Sequence, residues 1–222
     1  MRPYAPQEVD ALLDEEYGPV AWQPRLDPVA ELVLTILSQH TSDLNSDRAF
    51  QELRRRLPSW ELVLEAPAEL VADAIRAGGL GEQKAPRIQG VLRDVLKRCG
   101  EFDISFLVEW PLPEAKAWLR LLPGVGPKTA AVVLCFALGM PAFPVDTHIY
   151  RVTRRLALIG PRISVDEAHG LLEARIVPER VFPLHVELIT HGRRVCKAQR
   201  PLCSECVLAA RCPSNGRVPN AR

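Results

Sequence analysis

Nowhere in the 222 residues does an apolar run reach the roughly 18 residues that a membrane-spanning helix needs, and the chain does not open on a basic-then-apolar leader. These two absences predict a cytoplasmic protein. Convincing period-2 alternation and hairpin turn signals are also missing, which argues against strands and for an all-α fold. No internal repeat and no low-complexity linker is found. The formal net charge is only +1, and as a sum it argues weakly against a nucleic-acid partner. What remains is a chain with 47% hydrophobic content, enough to bury a substantial core as one large domain or two lobes.

Helical periodicity runs through most of it. Asp27 and Pro28 have the residue types of an N-cap and first turn, ahead of Val29, Leu32, Val33, Ile36 and Leu37 at spacings of three and four. Phe50, Leu53 and Leu57 form a second stripe; Leu70, Val71, Ala74 and Ile75 form a third, stopped by Gly78 and Gly79. Ile88 to Leu96 continues the pattern until Gly100, and Ser164 with Glu167 has the spacing of a capping box before Ala168, Leu171 and Leu172.

The cysteines are distributed unevenly. Four of the six, Cys196, Cys203, Cys206 and Cys212, follow the spacing C-x6-C-x2-C-x5-C. Thiolates so close in sequence point to a metal centre, since neither disulfides nor ordinary core cysteines cluster this way in a chain of this kind. Zinc on four thiolates usually uses two short knuckles across a spacer, and only Cys203 and Cys206 make one here. A compact run in one loop better suits an iron-sulfur cubane, with zinc as the alternative. Cys99 and Cys135 stand apart in apolar stripes and read as buried small hydrophobes.

Around the array the near-neutral sum breaks down. From His191 to the end stand Arg193, Arg194, Lys197, Arg200, Arg211, Arg217 and Arg222 against the single acid Glu205. This local excess would offset a thiolate-ligated cluster and meet phosphates; a solvated basic tail is the plainer alternative.

The segment Leu122-Pro-Gly-Val-Gly-Pro-Lys-Thr129 joins a stripe with Trp118 and Leu121 to an apolar helix from Thr129 to Leu138. Gly124 and Gly126 permit positive φ and leave the backbone bare, while Pro127 suits a helix first turn, so this turn can hold a phosphate through amides. It is not a nucleotide-binding P-loop, because Pro127 stands where that motif needs glycine before Lys128. A simple helix-to-helix connection would show the same residues.

Taken together, LPGVGPKTA at 122–130, Val145-Asp-Thr-His148 and HGRRVC running into the cysteine array resemble the endonuclease III family. This is the helix-hairpin-helix DNA glycosylase superfamily with an iron-sulfur cluster loop. Softer similarity extends from about residue 20 to 212. The resemblance implies two α-helical lobes, a six-helix barrel over 21–140 and a cluster domain of 1–20 with 141–222, with damaged or abasic double-stranded DNA bound in the groove between them. It implies a 4Fe-4S cluster on the four cysteines, a nucleoid-associated location, and excision of a damaged base followed by backbone cleavage.

For chemistry, Lys128 is the expected amine nucleophile: attack on C1′ expels the base, and the Schiff base permits β-elimination. Desolvation, a helix N-terminus or nearby cations must then supply neutral amine. Taken without the family match, Lys128 reads more readily as a phosphate-binding lysine. Asp146 matches the family's catalytic carboxylate and also has the place of an N-cap before Ile149, Val152, Leu156 and Ile159. Arg151, Arg154 and Arg155 are expected on a basic helix face near DNA, Arg193 and the backbone of Gly124, Val125 and Gly126 on DNA, and His148 and His191 in supporting roles.

Base extrusion leaves a gap to be filled. With Ser38 and Asp43 aligned to the family, His40 takes the place of the gap-filling glutamine and Gln39 stands one position earlier. Leu80 is the expected wedge; Gly81 replaces a bulky residue beside it, which predicts an altered lesion choice, looser pairing or weaker turnover. The function expected is a bifunctional glycosylase for oxidised pyrimidines, acting as a monomer. An adenine mismatch glycosylase is disfavoured by Lys128 and by a chain that ends ten residues after Cys212. A non-catalytic DNA-binding protein is the other alternative.

Overall fold

The computed structural model describes residues 2–216. Arg217 and Arg222 of the basic stretch lie outside the described residues. The elements in chain order are α1 (Pro6–Tyr17), α2 (Pro28–Leu37), α3 (Asp43–Arg56), α4 (Trp60–Glu65), α5 (Ala68–Ala74), α6 (Gly81–Cys99), α7 (Leu112–Arg120), α8 (Pro127–Val132), α9 (Thr147–Arg155), α10 (Val165–Glu173) and α11 (Val181–Arg194), with short 3-10 turns between some of them. Among the described residues there is no strand, so the all-α reading holds. No helix among them is long and apolar enough to cross a membrane. The chain divides into two compact units, Pro24–Leu138 and Met1–Gln23 with Gly139–Arg222.

The first unit is built on α2, whose residues from Val29 to Leu37 are all buried. Burying each such aliphatic side chain is worth about 1.5–3 kcal/mol. The Asp27 carboxylate accepts from the Ala30 amide at 2.9 Å, and Pro28 occupies the first turn, as the sequence predicts. Glu31 is buried too, and is held there by the Arg25 guanidinium. Helix α6 ends on Gly100, whose φ of 80° supplies the left-handed C-cap.

Three expectations shift in this unit. Helix α7 buries Ala115 and Leu119, whereas Leu121 is exposed and Trp118 is half-buried, edge-on to Phe106. The helix is short, so the face at 115 and 119 packs inward and the residues before the hairpin point away. The apolar helix after the hairpin is α8 followed by a π-helical turn, Val133–Ala137, that packs on α2. Cys135 is buried as expected, but Cys99, near the α6 C-terminus, is only half-buried.

The second unit centres on α11, packed against α1 and α9. Gly192 lets α11 come close to α9, since a Cβ there would stand 2.9 Å from the His148 Cβ. The Ser164–Glu167 capping box forms on α10. The stripe Ile149, Val152, Leu156 and Ile159 is buried throughout.

Beneath α1, Arg180 serves three carboxylates, Asp10 at 2.8 Å, Asp14 at 3.0 Å and Glu187 at 3.0 Å. Glu187 is fully buried and its second oxygen lacks a hydrogen-bond partner among the described residues, so burial pushes its pKa up to about 7. A folded-state pKa above the unfolded value means that the native state binds the extra proton, so stability is highest at low pH within this window. Between pH 4.5 and about 7 that contribution, about 3 kcal/mol, is lost as pH rises. The urea midpoint of the wild type minus that of Glu187→Gln should fall as pH rises across this range; the difference isolates Glu187 from His191, whose lowered pKa adds stability with rising pH in the same window.

Candidate functional site

In the first unit the hairpin turn follows α7. Val125 donates its amide to the Leu122 carbonyl at 3.2 Å, which closes the turn and buries the Val125 side chain. Any DNA contact here therefore falls to the backbone of the glycines. Gly124 has the positive φ, 75°, that the turn requires. Gly126 departs from expectation: it is the extended N-cap of α8, with φ of −90°, and a Cβ there would meet only open space. Its use is an uncovered backbone at the start of a helix. Lys128 is exposed in the first turn of α8, two residues past that cap.

Two other loops of this unit carry the expected lesion-reading residues. His40 is exposed with φ of 57°, just past the end of α2. Gln39 is half-buried, and its Oε1 accepts from the Arg87 guanidinium at 2.7 Å. Leu80 is 47% exposed at φ 53°, as the N-cap of α6. A left-handed conformation costs a residue with a Cβ about 1–2 kcal/mol, so both tips are held where free chain would not place them.

Gly81 has a physical cause unconnected with side-chain volume toward DNA. A Cβ there would lie 2.7 Å from the Ala72 carbonyl oxygen, because α6 begins tight against α5. Gly81→Ala should destabilise the protein by about 1–3 kcal/mol, measured as a lowered urea midpoint.

In the second unit the four array cysteines line one cavity, together with Val152, Leu156 and His191. Burial pushes the Cys206 thiol up to about 11 and raises Cys212 as well, so these sulfurs ionise only for a cation. Among the described residues no three His, Cys, Asp or Glu side chains converge as one metal ion would require. Four thiols lining one space are the donor set that an iron-sulfur cluster takes.

Residues from α9 hold this loop. Arg151 donates to the Cys196 carbonyl at 3.0 Å and the Gly192 carbonyl at 2.8 Å. Arg155 donates to the carbonyls of Lys197 and Ala198 at 2.7 and 3.0 Å and to the Cys196 sulfur at 3.3 Å. Both are half-buried braces of the cysteine loop, and Arg154 alone of the three arginines on this helix lies outside this network. Sequence spacing alone cannot show which carbonyls a guanidinium meets 40 residues on. His191 supports the array as expected: Tyr17 hydrogen-bonds its Nδ1 at 2.9 Å, and Nε2 sits 3.5 Å from the Cys206 sulfur. Burial holds the His191 pKa down to about 4, which keeps the imidazole neutral.

The basic excess near the array is also reduced. Arg211 pairs with Glu8 at 2.7 Å and lies over the Tyr4 ring. Arg193, Arg194, Lys197 and Arg200 are exposed. Asp146 is half-buried and caps α9, its Oδ1 accepting from the Ile149 amide at 2.7 Å. The N-cap reading is therefore a fact of the fold, and it fixes the carboxylate in place.

Residues 33–178 match the model of the HhH-GPD superfamily of base excision DNA repair proteins, and 196–212 match the iron-sulfur binding domain of endonuclease III. The endonuclease III of Thermotoga maritima is 34% identical over 84% of this chain and 83% of its own length. The chain belongs to the endonuclease III family. A protein of Arabidopsis thaliana described as a DNA glycosylase is 35% identical over 79% of this chain, which spans only 57% of that relative. Among solved structures, a non-covalent endonuclease III–DNA complex superposes with a TM-score of 0.80 at 29% identity, over 94% of each chain. As the family's iron-sulfur segment spans Cys196 to Cys212, the cofactor is a 4Fe-4S cluster.

Proposed function

We propose that this protein is a base-excision repair DNA glycosylase with abasic-site lyase activity, working as a monomer on oxidised pyrimidines such as thymine glycol in double-stranded DNA. The observation that carries the reading is Lys128, an exposed amine in the first turn of α8 directly after the hairpin, in a chain matched by both family models.

The uncovered hairpin backbone and the α8 N-terminus bind phosphate, and this brings a deoxyribose within reach of Lys128. The neutral amine attacks C1′; a C–N bond forms while the glycosidic bond breaks, and its electron pair departs with the base, which is protonated. Ring opening gives an imine that withdraws electrons from C2′. Loss of the C2′ proton and of the 3′ phosphate follows, and water then hydrolyses the imine to return the amine. Asp146, held by its cap hydrogen bond, is the carboxylate that stabilises positive charge at the sugar and moves protons. Gln39 or His40 fills the gap left by the extruded base, and Leu80 enters the opposite strand. The lyase steps transfer no net electrons, so the cluster, which Cys196, Cys203, Cys206 and Cys212 would hold, serves to order the basic loop that follows Arg193 at the end of α11 against phosphates.

Duplexes carrying thymine glycol, an abasic site, or adenine opposite 8-oxoguanine test this. Strand cleavage and borohydride capture are expected on the first two and neither on the third. Capture on the abasic duplex alone would mean that the lesion is another, and tight binding without any adduct would favour the non-catalytic reading.

A further inference from the structure

Lys84 is a lysine in an unusual place. It lies on the first turn of α6 and is 2% exposed, and its ammonium donates to two neutral carbonyls, that of Leu37 at 2.7 Å and that of Gly78 at 2.8 Å. Burial, with the Arg87 charge second, lowers its pKa, so the fold bears a cost to keep an amine here. The two carbonyls are informative. Leu37 is the last residue of α2, immediately before the loop of Gln39 and His40, and Gly78 ends the turn before Leu80.

One turn further along α6, Arg87 grips the same loop through the Gln39 Oε1 at 2.7 Å. Its side chain also lies over the hairpin: a Cβ built on Gly124 would fall 2.6 Å from the Arg87 Cδ. Two side chains of one helix thus tie together three loops, and two of these end in residues, His40 and Leu80, held in left-handed conformations that need outside restraint.

We infer that Lys84 and Arg87 are positioning residues that set the gap-filling loop and the wedge loop in register with the hairpin, so that both tips enter a duplex at one nucleotide step. They touch no reacting atom and act through Gln39, His40 and Leu80. The inference rests on the glycosylase reading above.

Its test uses the full-length protein with cluster, borohydride capture rates at saturating protein, and two abasic probes. One holds the abasic nucleotide opposite a base within a duplex; the other holds it as an unpaired bulge, where no insertion is needed to extrude the sugar. Lys84→Met should slow capture on the paired site by roughly 10- to 100-fold, with near wild-type capture on the bulge and a duplex Kd within about threefold. Arg87→Gln alters an exposed side chain and decides the matter if Lys84→Met does not fold. It should show the same split at smaller amplitude, and the effect should vanish in a Gln39→Ala background. Equal slowing on both probes would mean a general scaffold role, and wild-type rates on both would mean none; either overturns the inference. Wild-type protein that captures neither probe would overturn the glycosylase–lyase reading itself.

Discussion

Lys128→Ala is expected to eliminate borohydride-dependent capture on abasic duplexes and to lower strand cleavage by at least about 10³-fold, because no other amine replaces the nucleophile. The folded state should be almost unaffected: Lys128 is exposed, and surface changes away from caps and cores usually stay within about 0.5 kcal/mol. DNA affinity should fall only a few-fold, since the hairpin backbone and the exposed arginines remain. This pattern separates the nucleophile from a phosphate-binding lysine. The latter would weaken binding uniformly, reduce the slope of log K against log salt by about one, and leave capture intact. Capture assays and salt titrations on the same two proteins provide the comparison.

Cys206→Ser is the second large effect, and it should act on binding before chemistry. Cys206 is half-buried, its thiol raised by its surroundings, and a serine hydroxyl is a far poorer ligand for iron. The variant is expected to lose the broad absorbance near 400 nm that marks an iron-sulfur centre and to loosen the segment from 196 to 212. With the loop goes the placement of Lys197 and Arg200, beside Arg193 and Arg194 at the end of α11, so the Kd for duplex DNA should rise by roughly tenfold or more at physiological salt. At saturating DNA, capture through Lys128 should persist, because the amine lies in the other compact unit. Absorbance, anisotropy and capture on one preparation check all three points. Loss of capture with binding intact would assign the cluster a part in the chemistry.

Much of the helical pattern was legible because apolar stripes and caps are local. Asp27, Ser164 and Gly100 end or begin helices by interactions within four residues. The Cys196–Cys212 spacing and the hairpin motif identified the family for a related reason, since each packs its distinctive residues into a short window. Gly126 and Gly81 mislead when read alone. The first needs no positive φ and serves as a bare cap, and the second answers to a carbonyl of α5 that sequence does not place beside it.

The stripes, the caps, the cysteine spacing and the Lys128 motif were determined by the sequence alone, because chain neighbours interact whatever the fold. Only the tertiary structure decided that Arg151 and Arg155 brace the cysteine loop, that Arg211 is occupied by Glu8, and that Lys84 joins two loops whose carbonyls are 41 residues apart. A long cationic side chain reaches several ångströms in any direction, and its partner is whichever carbonyl or carboxylate packing brings near. That choice is made by the burial of helices α2, α6, α9 and α11 against their neighbours, where the free energy is large enough to overrule local preference.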